Sequence, residues 1–225
     1  MSDGTANASD ELELAQSEAA IEVDSSKSAP EDRETAGPFD IVEVPTMRPY
    51  VDFGGIKVAP REGLQLRLEV DERAKRVVAV TLDFEGSLLQ VQAFSAPKTT
   101  GLWHQVRSEI SAQLSSQGAR IEEAEGELGP ELIAVSSVPA EQGGGTRTVR
   151  FVAVDGPRWM LRGVIMGAAA EDAQARARVI ELFRDMVVVR GDQPMPPSEL
   201  LPLQVPAGVA QNPNQGQAQQ GTTGA

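Results

Sequence analysis

Strict alternation of apolar and polar residues constrains this chain more than any other feature. Residues 64–70 put Leu64, Leu66, Leu68 and Val70 on one face of an extended segment and Gln65, Arg67 and Glu69 on the other. A period of two fits a strand with one buried face and rejects an amphipathic helix, whose apolar residues recur every three to four positions. The period returns at 76–84, with Val78, Val80, Leu82 and Phe84 in phase, and at 88–94, with Leu89, Val91 and Ala93. Glu85-Gly86-Ser87 supplies the hairpin turn between them. Further strands are expected at 51–58, broken by Gly54-Gly55, and at 119–127 and 131–138, joined through Gly129-Pro130. Residues 146–154 and 158–166 form the strongest hairpin, turning at Asp155-Gly156-Pro157. A two-residue turn would pair Val154 with Pro157, and a four-residue loop would pair Val154 with Trp159. The longer loop is expected, because proline beside a tight turn cannot donate to the ladder.

Two segments carry the helical period instead. Residues 101–117 place Leu102, Trp103, Val106, Ile110 and Leu114 on one stripe. Thr100 is positioned to cap its start, and Gly118 stands where a left-handed C-terminal cap belongs. The second helix is expected over about 171–186, with Val179, Leu182, Phe183 and Met186 inward. Val187–Val189 extend beyond it. Pro194, Pro196, Pro197 and Pro202 then exclude regular structure, so Leu200, Leu201 and Leu203 are expected to strap a proline-rich segment across the body. Residues 76–114 and 147–186 both read hairpin, loop, helix. The fold class is therefore α+β: antiparallel sheet packed against two main helices.

The ends differ from this block. Residues 1–36 hold ten acids against Lys27 and Arg33, which is −8 of the chain's −13, and residues 206–225 carry no charge. Segments that cannot bury enough apolar area to offset chain entropy stay unfolded. The expected organisation is an acidic disordered tail at 1–36, one domain at 37–205 and a polar disordered tail at 206–225. A net charge of this sign opposes binding to nucleic acid and anionic lipid. The chain has no cysteine, which removes disulfides, thiol catalysis and cysteine-ligated zinc. The start, Met1-Ser2-Asp3-Gly4, lacks the basic and apolar regions of a signal peptide, and no apolar run reaches the roughly 18–20 residues of a membrane span. A cytoplasmic location follows as the expectation.

Candidate sites are few. His104 is the single histidine and lies just off the apolar stripe of the first helix; a surface histidine is the simpler account than a base or ligand. Glu123, Glu125 and Glu127 share one face of a strand beside Glu122. They could hold calcium or magnesium, yet charge protecting a sheet edge explains them as well. The string 156–163 is the most distinctive. Arg158, Met160 and Arg162 fall on one face and Trp159 and Leu161 on the other. The arginines could bind an anionic partner, or pair with acids on neighbouring strands while Trp159 anchors the core. If one surface binds, Arg158, Trp159 and Arg162, joined by Trp103, are the candidates. Gly143-Gly144-Gly145 is followed by no Lys-Ser or Lys-Thr and precedes a strand, so it is no phosphate loop. No Gly-x-Ser-x-Gly elbow occurs. In the acidic tail, Ser17, Ser25, Ser26, Ser28 and Thr35 are open to a kinase, or the tail serves solubility alone.

The stretches at 37–45, 64–70, 101–110, 151–169 and 182–203 together resemble an uncharacterised actinobacterial domain-of-unknown-function family across residues 37–205. That resemblance implies a cytosolic bacterial protein and brings no catalytic residues. The order of elements is also similar to the Mog1/photosystem II P protein fold, whose members usually act as binding or accessory proteins. The function expected is a non-enzymatic binding or accessory protein working through protein–protein contact, with no cofactor, no metal and no catalytic set. The alternative is a carboxylate- and arginine-based enzyme, or a small-ligand carrier, with a pocket under the 151–166 hairpin.

Overall fold

The computed structural model describes residues 24–45 and 48–206. Seven strands form one antiparallel sheet: β4(Gln65–Asp71), β5(Arg76–Phe84), β6(Ser87–Ser95), β7(Arg120–Gly126), β8(Gly129–Ser137), β9(Thr146–Asp155) and β10(Trp159–Gly167), in the order β4-β5-β6-β10-β9-β8-β7. A small second sheet takes β1(Phe39–Asp40), β2(Val51–Asp52), β3(Ile56–Val58) and β11(Val187–Val188) in the order β1-β11-β3-β2. Of the helices, α1(Arg33–Ala36) and α3(Ala168–Glu171) are single turns, while α2(Trp103–Ser116) and α4(Ala173–Arg184) are the two long ones. The α+β class and both long helices stand where the apolar periods put them.

Alternation decides which helix covers which face. Val152, Val154, Trp159, Leu161 and Ile165 join one core with Leu82, Leu89 and Val91 of β5 and β6, Val179, Leu182 and Phe183 of α4, and Phe53 and Ile56 of the small sheet. Their in-between neighbours Ala153 and Met160 point the other way and pack with Trp103 and Leu102. So α2 and α4 sit on opposite faces of one sheet. Gly163 stands opposite Val91 on β6 and Val152 on β9. A Cβ there would meet Phe183, Val152 and Leu89 at 3.0–3.1 Å, so the glycine lets the Phe183 ring lie directly on β10.

Several details depart from the sequence expectations for identifiable reasons. Val70 is 53 % exposed instead of inward, because the β4–β5 register shifts between Glu69 and Val70. The β9–β10 loop has four residues, but it pairs Asp155 with Met160 and Val154 with Leu161, not Val154 with Trp159. Asp155 stays in the strand because its carboxylate caps α2. Its Oδ1 accepts from the Leu102 N–H at 3.0 Å and its Oδ2 from the Trp103 N–H at 3.3 Å. Thr100 makes no such cap; the N-cap position is Leu102, which offers no side-chain acceptor. At the other end, Gly118 (φ +85°) closes α2 as expected, with Gly118 N–H on Ser115 O and Ala119 N–H on Leu114 O.

The acidic N-terminal segment is the larger departure. Residues 1–23 lie outside the described residues, but 24–36, assigned by charge to the tail, pack on the domain. Ser28 is buried; its N–H donates to Asp155 Oδ2 at 3.0 Å, and its carbonyl accepts from the Asp155 N–H at 2.7 Å. Arg33 is also buried and pairs with Glu43. Burial works to raise the Glu43 pKa, but the Arg33 guanidinium and the Asp40 N–H outweigh it and hold that carboxyl below its ordinary range.

The C-terminal strap behaves as its leucines suggest. It fills a wedge where β5 and β6 part: Leu200 bridges Phe94, Leu203 bridges Val77, and the Leu201 N–H donates to Ala93 O. The polar tail beyond residue 206 lies outside the described residues.

Candidate functional site

The β9–β10 hairpin carries three of the four candidate binding residues, and it separates them. Trp159 has 0 % exposure, and its indole Nε1 donates to Asp40 Oδ2 at 2.8 Å. Trp103 is equally buried and donates from Nε1 to the Pro130 carbonyl at 2.6 Å. Both indoles are closed into core, on opposite faces of the sheet, and reach no surface. Arg158 stands exposed in the turn, which the Gly156 N–H closes onto Trp159 O. Arg162 lies in mid-strand, half-buried, on the face that α2 occupies.

That face is only partly covered. Helix α2 packs mainly on β7, β8 and β9 and reaches the middle strands at Met160 and Phe94, and among the described residues neither long helix packs substantially on β4 or β5. The side chains there are predominantly polar and bond to one another across strands. Glu69 accepts from Thr81 Oγ1 and from Gln90 Nε2, each at 2.6 Å. Arg67 pairs with Asp83 at 2.8 Å. Gln92 donates to Val78 O at 3.1 Å, bridging the wedge between β5 and β6.

Arg162 sits beside this network and pairs with no acid among the described residues. Its Nη2 donates to Gln92 Oε1, a neutral acceptor. Its guanidinium lies 5.2 Å from the centroid of the Phe94 ring. The Nε is shielded from solvent and meets no acceptor. Burial alone pushes its pKa below the usual arginine value. Other arginines meet acids, among them Arg33 with Glu43, Arg61 with Asp185, Arg150 with Glu131, Arg178 with Glu85 and Arg184 with Asp32, whereas buried Arg190 bonds to the Gln193 carbonyl and its Nε also lacks a partner among the described residues. Further along the same strands lies a groove of about 730 Å³, lined by Leu88, Val138, Arg147 and Met166 among others.

The remaining candidates fall into structural roles. His104 lies 3.6 Å from Asp24 of the docked N-terminal segment. Glu122, Glu123 and Glu125 are exposed on β7, an edge strand, and Glu123 pairs with Arg107 of α2 at 3.4 Å. No group of three or more His, Cys, Asp or Glu among the described residues is placed to hold a metal ion, and no helix among them is long and apolar enough to cross a membrane. Sequence reasoning missed Asp155, Asp40, Gln90 and Gln92. Asp155 reads as a turn residue, and the glutamines read as solvent-facing strand positions. The one available signal was two glutamines in phase on a strand whose neighbours are all apolar.

No curated protein and no solved structure matches this chain. Residues 37–212 match the family described as "Protein of unknown function (DUF3710)", and the chain belongs to that family.

Proposed function

We propose that this is a non-enzymatic binding or accessory protein that works in the cytoplasm through contact with a protein partner. The observation that carries the reading is the half-face of the seven-stranded sheet formed by β4, β5, β6 and β10. Apart from Met160 and Phe94, which meet α2, neither long helix packs substantially on it, while the opposite face of β5, β6 and β10 is buried in the core. An antiparallel sheet with one face against a helix and the other partly free is an ordinary way to present a rigid binding surface. The polar network of Glu69, Thr81, Gln90 and Gln92 fixes the side chains of this face before a partner arrives, which lowers the ordering cost of association.

A photo-crosslinking amino acid placed at Leu88, on the open half-face, tests this in native cells against the same group at Val42, an 85 % exposed site elsewhere. A discrete protein adduct from position 88 and none from position 42 is expected. Adducts from position 42 alone, or from neither, would remove the open half-face as the interface.

A further inference from the structure

Among the described residues, Arg162 on this face has no carboxylate partner. Resting on the binding role just given, we propose that Arg162 receives a carboxylate side chain from an extended segment of the partner, and that the segment continues along β10 into the groove at Leu88 and Met166.

Three observations converge on this. First, Arg162 is half-buried, and the one polar group it meets among the described residues is the amide oxygen of Gln92, where another half-buried arginine of this hairpin, Arg150, meets Glu131 at 2.5 Å. Hydrogen bonds from guanidinium to carboxylate are about twice as strong as those to neutral acceptors. An incoming acid therefore improves on Gln92 as a partner for the guanidinium. Second, Phe94 holds the guanidinium plane from one side, so the group is oriented without being neutralised. Third, Arg162, Val164 and Met166 share one face of β10, which puts the groove roughly 13 Å from Arg162, about four residues of extended chain. Leu88 and Met166 are apolar and Arg147 lies beyond them. The matching occupant is a segment with an acid at one position and an apolar residue four positions on.

The probe is the acetylated, amidated hexapeptide Thr-Glu-Thr-Val-Thr-Leu and its twin with Gln in place of Glu, titrated into the full chain by fluorescence polarisation. The Glu peptide is expected to bind about tenfold tighter than the Gln twin, the ratio set by exchanging a neutral acceptor for a charged one. Arg162→Gln should bring that ratio to about one, and Arg162→Lys, which keeps the charge without the fork, should retain part of it. The Arg162 Nε–H resonance should shift with the Glu peptide and not with its twin. Equal affinity of the two peptides for the unaltered chain, or no binding of either, overturns the proposal even where crosslinking at position 88 upholds the interface. Competition by succinate at the peptide's own affinity overturns the peptide assignment in favour of a free acid. Thermal melts of both variants separate lost recognition from lost folding.

Discussion

On the α4 side of the sheet, Val152, Val154, Leu161 and Ile165 are at most 2 % exposed, and the half-buried Arg150 there is matched by the buried Glu131 at 2.5 Å. On the α2 side, the residues of β5, β6 and β10 include Thr81, Gln90, Gln92 and Arg162, and among the described residues the arginine has only an amide oxygen. The two faces share a backbone, so they differ only in what the odd and even positions carry. The α4 face is mostly apolar and closely packed, as stability requires. The other keeps a cation short of partners, at a cost to stability that packing alone does not explain.

The comparison breaks most visibly at Phe183, fully buried against Gly163 and Leu89. Phe183→Ala should cost about 3–5 kcal/mol in urea denaturation, because a ring-sized cavity opens beneath α4. Gln92→Ala on the opposite face should cost less than about 1 kcal/mol in the same measurement. Similar losses at the two positions would erase the distinction.

Asp155 tests where the two faces are joined. Its carboxylate is 2 % exposed and accepts from Ser28, Leu102 and Trp103. Asp155→Ala strands three backbone N–H groups and should cost about 2–3 kcal/mol. It should also free the N-terminal segment, read as faster hydrogen exchange at Ser28 and Gly101, whose N–H bonds lie in that junction.

Glu43 gives a small effect and a sign. Its pKa is lowered in the folded state, so its pairing with Arg33 adds stability that is present above about pH 4.5 and is lost as the pH falls through the folded pKa. Glu43→Gln should lower stability by up to about 1 kcal/mol at pH 7 and flatten the acid limb of the stability curve below pH 4.5. An unchanged acid limb would show that other carboxylates dominate it.

The elements were legible where periodicity is long. Val80, Leu82, Leu89, Val91, Leu161 and Ile165 all face the core their alternation assigned them, and Val179 and Phe183 do the same on α4. What sequence could not show are contacts between distant segments. Asp155 caps a helix that begins some fifty residues before it in the chain, a pairing with no local signal. Residues 24–36 carry a net negative charge, which hid that Ser28 and Arg33 turn inward. Period-two counting grouped Arg158 with Arg162, but counting does not know where a strand begins; β10 starts at Trp159 and leaves Arg158 in the turn. The candidate site was legible in one residue, Arg162. Its neighbours Gln90, Gln92 and Phe94 come from β6, and only the β6–β10 register brings them to it.

The central claim is that Arg162 serves a ligand and Arg150 serves the fold. Replacing each with leucine and comparing urea unfolding tests it most directly. Arg150→Leu leaves Glu131 buried and alone and should cost about 3–5 kcal/mol. Arg162→Leu orphans no charge and should cost less than about 0.5 kcal/mol or stabilise the protein. If Arg162→Leu destabilised the chain as severely as Arg150→Leu, Arg162 would be a structural residue and the account would fail.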